Sequence, residues 1–305
     1  MLVAAGLTAI IIWQADPREV GRHLADLDWR YAGAAVMLVL VDRTLMALRW
    51  IALLAPLAPG TRPSIGALMR IFFVSTFLGT VLPMSVGADA VRAWGLSRAG
   101  ITTHESLASV LMDRLLGVVS LLLMAAVGLM VVPALAGNSW VLLAMAATLG
   151  ACALGLAAVF SAGLAVAGHR WLERLPEGRV RRGAVRMIDA LQAYRRHRGV
   201  AAGVLAASVA VQVLRILQAW LLGLSLGITA GAAAYFAFVP LILLIMMLPI
   251  TIMGLGTSQL AFAFFFAQAG VDWAPAVALS VLFIALGVVG NLPGALLYAF
   301  RQRPV

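Results

Sequence analysis

The stretch Leu82-Pro83-Met84-Ser85-Val86-Gly87-Ala88-Asp89 interrupts an apolar run. A second such interruption, Leu248-Pro249-Ile250-Thr251-Ile252-Met253-Gly254-Leu255-Gly256-Thr257, follows 166 residues later. Proline removes a helical hydrogen-bond donor and glycine permits a tight reversal. Each segment therefore predicts two short helices folded back on one another, hinged at Pro83 and Gly87 in the first and at Pro249, Gly254 and Gly256 in the second. The run 257–270 reaches only about 21 Å at 1.5 Å per residue, against a hydrocarbon core about 30 Å thick. Both segments read as re-entrant helical hairpins rather than complete spans.

The chain around them has 305 residues, 63% hydrophobic and 11% charged. Soluble domains run about 45–50% apolar and about 25% charged. A water-soluble enzyme and a disordered chain are both excluded. Apolar stretches at 1–15, 30–55, 65–82, 105–132, 138–168, 200–226, 232–249, 257–270 and 273–300 indicate an all-α polytopic membrane protein, one membrane domain over 1–305. The first stretch, Met1 to Trp13, is short for a span and reads as a tilted or truncated first helix. Cys152 is the single cysteine and packs in an apolar run.

Arginine supplies all 22 basic residues, and it sorts the loops. The segment 169–199 holds nine Arg against Glu173, Glu177 and Asp189, which makes it a cytoplasmic basic loop. Loops 133–137 and 227–231 carry no charge and face the other side, as does 16–30, which has no positive excess. Arg301 and Arg303 put the C-terminus inside, and the count of spans puts the N-terminus inside too. The chain is then inside both near Arg62 and near Arg98, and outside at both 229 and 272. The two hairpins thus enter from opposite sides. Two spans, a hairpin and a span occur twice, as repeat one (1–132) and repeat two (138–305). The total is about six transmembrane helices plus two opposed re-entrant hairpins. The 166-residue offset also places Arg49 over Arg215. In transporters, an inverted-topology repeat of this kind puts the substrate between discontinuous helices near the midplane.

Ionisable groups within spans cost about 2.5–3.5 kcal/mol at a helix centre and are functional by default. Asp42 and Arg43 fall near the middle of 30–55, and Asp113-Arg114 lies a third of the way along 105–132. Each pair also reads as a structural ion pair. Asp89 and Arg92 sit three apart where a helix restarts after the first hairpin, and Gln259 stands in the equivalent place after the second. By position, Arg49-Trp50 reads as an interfacial anchor with a snorkelling Arg. Arg215 has Gln212 and Gln218 on its face and no acid in its own helix. Four mid-membrane Arg (43, 92, 114, 215) face three Asp, and Arg215 is the one expected to remain unpaired. Several Arg together with two helix N-termini suit a phosphate. The candidate substrate-binding set is Arg43, Arg49, Asp89, Arg92, Asp113, Arg114 and Arg215.

Other chemistry is poorly provided for. His23, His104, His169 and His197 sit in loops or near span ends, which leaves no candidate for intramembrane proteolysis. Without lysine there is no Walker A motif. No cofactor, metal or catalytic residue is expected, and the positive charge beside the spans does not point to nucleic acid. Within the basic loop, 179–196 is the candidate interfacial helix for anionic lipid head groups.

Several segments, taken in order, resemble the transmembrane region of lysylphosphatidylglycerol synthases and the stand-alone proteins of that flippase-like family. They are Ala47-Leu48-Arg49-Trp50; Phe77-Leu78-Gly79 through Leu82-Pro83 to Gly87-Ala88-Asp89-Ala90-Val91-Arg92; Ser109-Val110-Leu111-Met112-Asp113-Arg114; and Leu248-Pro249 through Gly254-Leu255-Gly256-Thr257. The family pattern has Gly-Gly-Asp at Gly87-Ala88-Asp89 and Glu-Arg at Asp113-Arg114. It often has Glu at Gln259, so any proton-coupling role there is weakened. The resemblance implies translocation of an anionic or aminoacylated phospholipid between leaflets in the bacterial cytoplasmic (inner) membrane. No synthase domain is expected within 305 residues, so lysyl transfer is not implied. Two alternatives stand beside this reading. One is a translocase of a polyprenyl-phosphate or glycolipid precursor. The other is a non-transporting scaffold that recruits a lipid synthase or glycosyltransferase through 169–199.

Overall fold

The computed structural model describes residues 17–57, 63–81, 86–131, 139–174, 176–247 and 256–300. Pro83, Pro249, Gly254, the Met1–Trp13 run and loop 133–137 lie outside the described residues. Among the described residues there are twelve helices and no strand: α1 Pro17–Ala25, α2 Trp29–Leu54, α3 Ile65–Val81, α4 Val86–Arg98, α5 Thr103–Val131, α6 Ser139–Phe160, α7 Ala162–Glu173, α8 Arg179–Arg196, α9 Arg198–Ser225, α10 Ala232–Met247, α11 Thr257–Ala267 and α12 Trp273–Ala299. The chain is an all-α polytopic membrane protein. Thr103–Met130, Arg198–Ser225 and Trp273–Ala299 are each long and apolar enough to cross a membrane. α2 has comparable length, 26 residues, but carries Asp42, Arg43 and Arg49.

Local chemistry sets several of these boundaries. α5 starts at a capping box, in which Thr102 N–H donates to Glu105 Oε2 (3.0 Å) and Glu105 N–H to Thr102 Oγ1 (3.3 Å). The apolar stretch 138–168, expected as one run, is broken. Ser161 is extended, its hydroxyl accepts from Leu164 N–H at 3.3 Å, and α7 leaves α6 at 83°. Gly256 has φ +86°, a conformation that side chains rarely adopt, and its N–H donates to Gln259 Oε1 at 2.6 Å. Gln259 thus satisfies the backbone N–H of the residue that precedes its own helix.

The helices that flank each predicted reversal pack against one another antiparallel, while the turns at 82–85 and 248–255 lie outside the described residues. Gly79 packs against Ala88 and Gly95 against Ile71, two pairs centred near residue 83 that bring α3 and α4 together. Tyr235 meets Phe266 (ring centroids 4.9 Å) and Phe238 stacks on Phe265 (5.9 Å), centred near 251, bringing α10 and α11 together. Their shorter limbs, α4 with 13 residues and α11 with 11, are too short for a core about 30 Å thick.

Packing follows the same offset. α2 lies on α9, α5 packs on α10, and α12 packs on α3. Gly128 of α5 lies against the backbone of Phe236 and Ala237. Gly294 of α12, 166 residues later, lies against the backbone of Phe73. A Cβ at either glycine would collide with main chain, so each glycine is what permits the close helix contact.

The helix expected at 179–196 has those bounds, but its apolar side is used within the protein. Tyr194 is fully buried and donates to Leu53 O at 2.8 Å, and Met187 and Leu191 join the same core as Leu53, Met112 and Val204. Burial, with the charge of Asp113 added, pushes the Tyr194 phenol well above its ordinary pKa. α7, by contrast, keeps an apolar side exposed. It exposes Leu164 and Trp171 beside Arg170 and Arg174, while Ala165 and Leu172 face inward.

Candidate functional site

α2 and α9 cross antiparallel and tie to each other reciprocally. Arg49 of α2 donates to Ser208 of α9 at 2.8 Å. Arg215 of α9 pairs with Asp42 of α2, Nε to Oδ1 at 3.5 Å. Ser208 follows Asp42 by 166 residues, and Arg215 follows Arg49 by the same interval. The expectation that Arg215 lacks an acid is corrected: its partner comes from a helix 173 residues earlier. Asp42, buried at 1% exposure, also pairs with Arg43 at 3.2 Å, as that dipeptide led one to expect. Both guanidinium groups donate to Met46 Sδ, at 3.4 Å from Arg43 and 3.1 Å from Arg215.

The other pairs are exchanged relative to their neighbours in sequence. Asp113 lies between Arg49 (2.7 Å) and Arg92 (3.6 Å), while Arg114 reaches Asp89 through Nε at 2.9 Å and Nη2 at 2.7 Å. Adjacent residues on a helix point in different directions, so Asp113 and Arg114 address different neighbours. With α4 docked on α5, Asp89 meets Arg114 and Arg92 meets Asp113. The Arg92 guanidinium also lies over Trp50 (5.0 Å) and Phe72 (4.7 Å). Arg49 is 6% exposed and Trp50 fully buried. The interfacial-anchor reading of this pair is corrected: the first hairpin packs over α2 and takes both residues inside.

The seven candidate residues therefore form two groups. Arg49, Arg92 and Asp113 make a buried knot joining α2, α4 and α5. Arg43, Arg114 and Arg215 line a cavity of about 360 Å³ together with Asp42. Asp89 is joined to this second group through Arg114. Ala88, beside Gly87 in the first turn of α4, forms part of the wall, and Leu243, Met246 and Phe283 form apolar wall. Of the flanking glutamines, Gln218 faces the cavity, while Gln212 turns to α5 and donates to Ser120 at 3.1 Å.

Sequence reading missed Thr76, Thr80 and Asn291, which also line the cavity. Asn291 Nδ2 donates to Thr80 Oγ1 at 2.9 Å, and among the described residues its buried Oδ1 has no partner, nor has Gln218 Nε2. The available signal was an amide inside the apolar stretch 273–300, since polar residues in membrane helices face other helices.

The family described as the lysylphosphatidylglycerol synthase transmembrane region matches the chain over residues 1–294. The chain belongs to that family. As a lysylphosphatidylglycerol synthase transmembrane-region protein it has a lipid-related role in a membrane, and the match takes in every residue of the cavity and of the knot. No curated protein matched the chain.

Proposed function

We propose that the protein moves a phospholipid between leaflets, acting as a transporter and not as an enzyme. The lipid phosphate enters the cavity between Arg43, Arg114 and Arg215 while the acyl chains stay in the bilayer. The observation that carries this reading is the convergence of three guanidinium groups from α2, α5 and α9 on one cavity. The planar fork of Arg suits phosphate oxygens. Three Arg against Asp42 and Asp89 leave one positive charge in surplus. Surplus charge within membrane helices is costly unless water or an anion meets it.

The reciprocal Arg49–Ser208 and Arg215–Asp42 ties, and the Gly128 and Gly294 contacts, support an inverted repeat of 1–132 on 138–305. The cavity then falls where the two hairpins meet the repeat interface, as in other carriers built this way. The reading is tested in proteoliposomes carrying an acyl-labelled phospholipid, with quencher added outside. Transport predicts accelerated loss of the protected inner-leaflet signal. A rate equal to that of protein-free vesicles would leave only the scaffold reading.

Topology has its own test, in a Cys152→Ala background. Cysteines at 135 and 229 should label from outside, and those at 60, 180 and 303 only after permeabilisation. Labelling of 60 and 135 from the same side would remove the inverted repeat.

For contact with anionic head groups, α7 is the better element than the expected 179–196. Its 83° bend from α6, with Trp171 and Leu164 beside Arg170 and Arg174, supports a position along the interface. Each Arg near an anionic surface contributes about 1 kcal/mol, so Arg170→Gln with Arg174→Gln should retain several-fold less co-purified anionic lipid. Unchanged retention, with loss instead in Arg182→Gln with Arg186→Gln, would return the role to α8.

A further inference from the structure

The acids of this chain bear on which phospholipid the cavity takes, an inference that rests on the transport reading above. The chain has 12 acidic residues. Nine lie ahead of α2, in the first turn of α5, in the basic segment, or just before α12. The three within the membrane helices, Asp42, Asp89 and Asp113, are each held by Arg: Asp42 by Arg43 and Arg215, Asp89 by two nitrogens of Arg114, and Asp113 by Arg49 and Arg92. The segments 82–85 and 248–255 contain no acid.

An ammonium group carried into this cavity would face three guanidinium groups. The carboxylates at the cavity, Asp42 and Asp89, are already neutralised by Arg, so the ammonium would enter against a net positive charge. A diphosphate brings more negative charge than the single surplus cation offsets. One phosphodiester leaves the cavity neutral. Beyond the charges, the cavity groups without a partner among the described residues are neutral, a donor at Gln218 Nε2 and an acceptor at Asn291 Oδ1. They match hydroxyl groups. At about 360 Å³ the space equals roughly a dozen waters of liquid, enough for a head group and not for acyl chains.

We infer that the substrate is a single-phosphodiester lipid whose head group beyond the phosphate is uncharged and hydroxyl-bearing. Aminoacylated lipids and isoprenoid diphosphates are not carried.

The test uses proteoliposomes with three acyl- or chain-labelled probes: phosphatidylglycerol, its lysyl ester, and an isoprenoid diphosphate. Phosphatidylglycerol should cross at least about tenfold faster than either other probe, the ratio that about 1.4 kcal/mol sets. Equal or faster movement of the lysyl ester or the diphosphate overturns the inference. Asn291→Asp, which adds a carboxylate to the cavity, should narrow the gap between the lysyl ester and its parent. Binding is read separately as the rise in melting temperature in detergent. There phosphatidylglycerol should stabilise the wild type and the lysyl ester should not. If no probe moves, the transport reading fails, and the melting data still decide the head-group inference. Stabilisation by the lysyl ester equal to that by phosphatidylglycerol would refute it.

Discussion

Asp113→Asn is expected to abolish the folded protein. Asp113 is the shared counter-charge of Arg49 at 2.7 Å and Arg92 at 3.6 Å, both buried, in the knot that fastens the first hairpin to α2 and α5. Removing one partner of a buried pair costs about 3–5 kcal/mol, because the remaining charge stays uncompensated. Here two like charges would remain. Native stabilities are only about 5–15 kcal/mol, so this one change takes a large share. Size-exclusion chromatography in detergent should show little monodisperse Asp113→Asn, with partial recovery in Asp113→Glu. A melting temperature equal to that of the wild type would mean the knot contributes nothing to stability.

Arg215→Gln should behave in the opposite way. Asp42 keeps Arg43 at 3.2 Å, so no carboxylate is orphaned and the protein should fold and insert. The cavity, however, loses its surplus cation. A hydrogen bond to a charged group contributes about 1.5–3 kcal/mol, so the translocation rate should fall about 10- to 100-fold. Normal transport by well-expressed Arg215→Gln would reject Arg215 as a ligand of the phosphate and leave it a structural role in joining α2 to α9.

Asp113 and Arg215 show how far the sequence could be read. The hairpins were legible because Pro and Gly act on their own backbone, and the 179–196 helix because its cluster of Arg is local. Which Arg meets which Asp was not legible. Arg215 and Asp42 are 173 residues apart, and the adjacency of Asp113 to Arg114 in the chain misleads about their directions in space. Arg49-Trp50 sits near the end of an apolar stretch and looks interfacial until the first hairpin is packed over it. The break at Ser161 did leave a signal, a serine inside an apolar run ahead of Leu164, of the kind that starts a helix. Asn291 became a site residue only when α12 packed on α3 and brought it to Thr80.

Entry of a lipid head group into the space between Arg43, Arg114 and Arg215 can be read with a head-group photo-crosslinking lipid. Vesicles containing the protein and the photoreactive phospholipid are irradiated and the adducts mapped by peptide mass spectrometry. Adducts are expected on cavity residues such as Met246, Gln218 and Thr76, and should be lost in Arg215→Gln. Adducts confined to outward-facing positions of α6, such as Leu142, Leu149 and Leu154, and unchanged in Arg215→Gln, would contradict it.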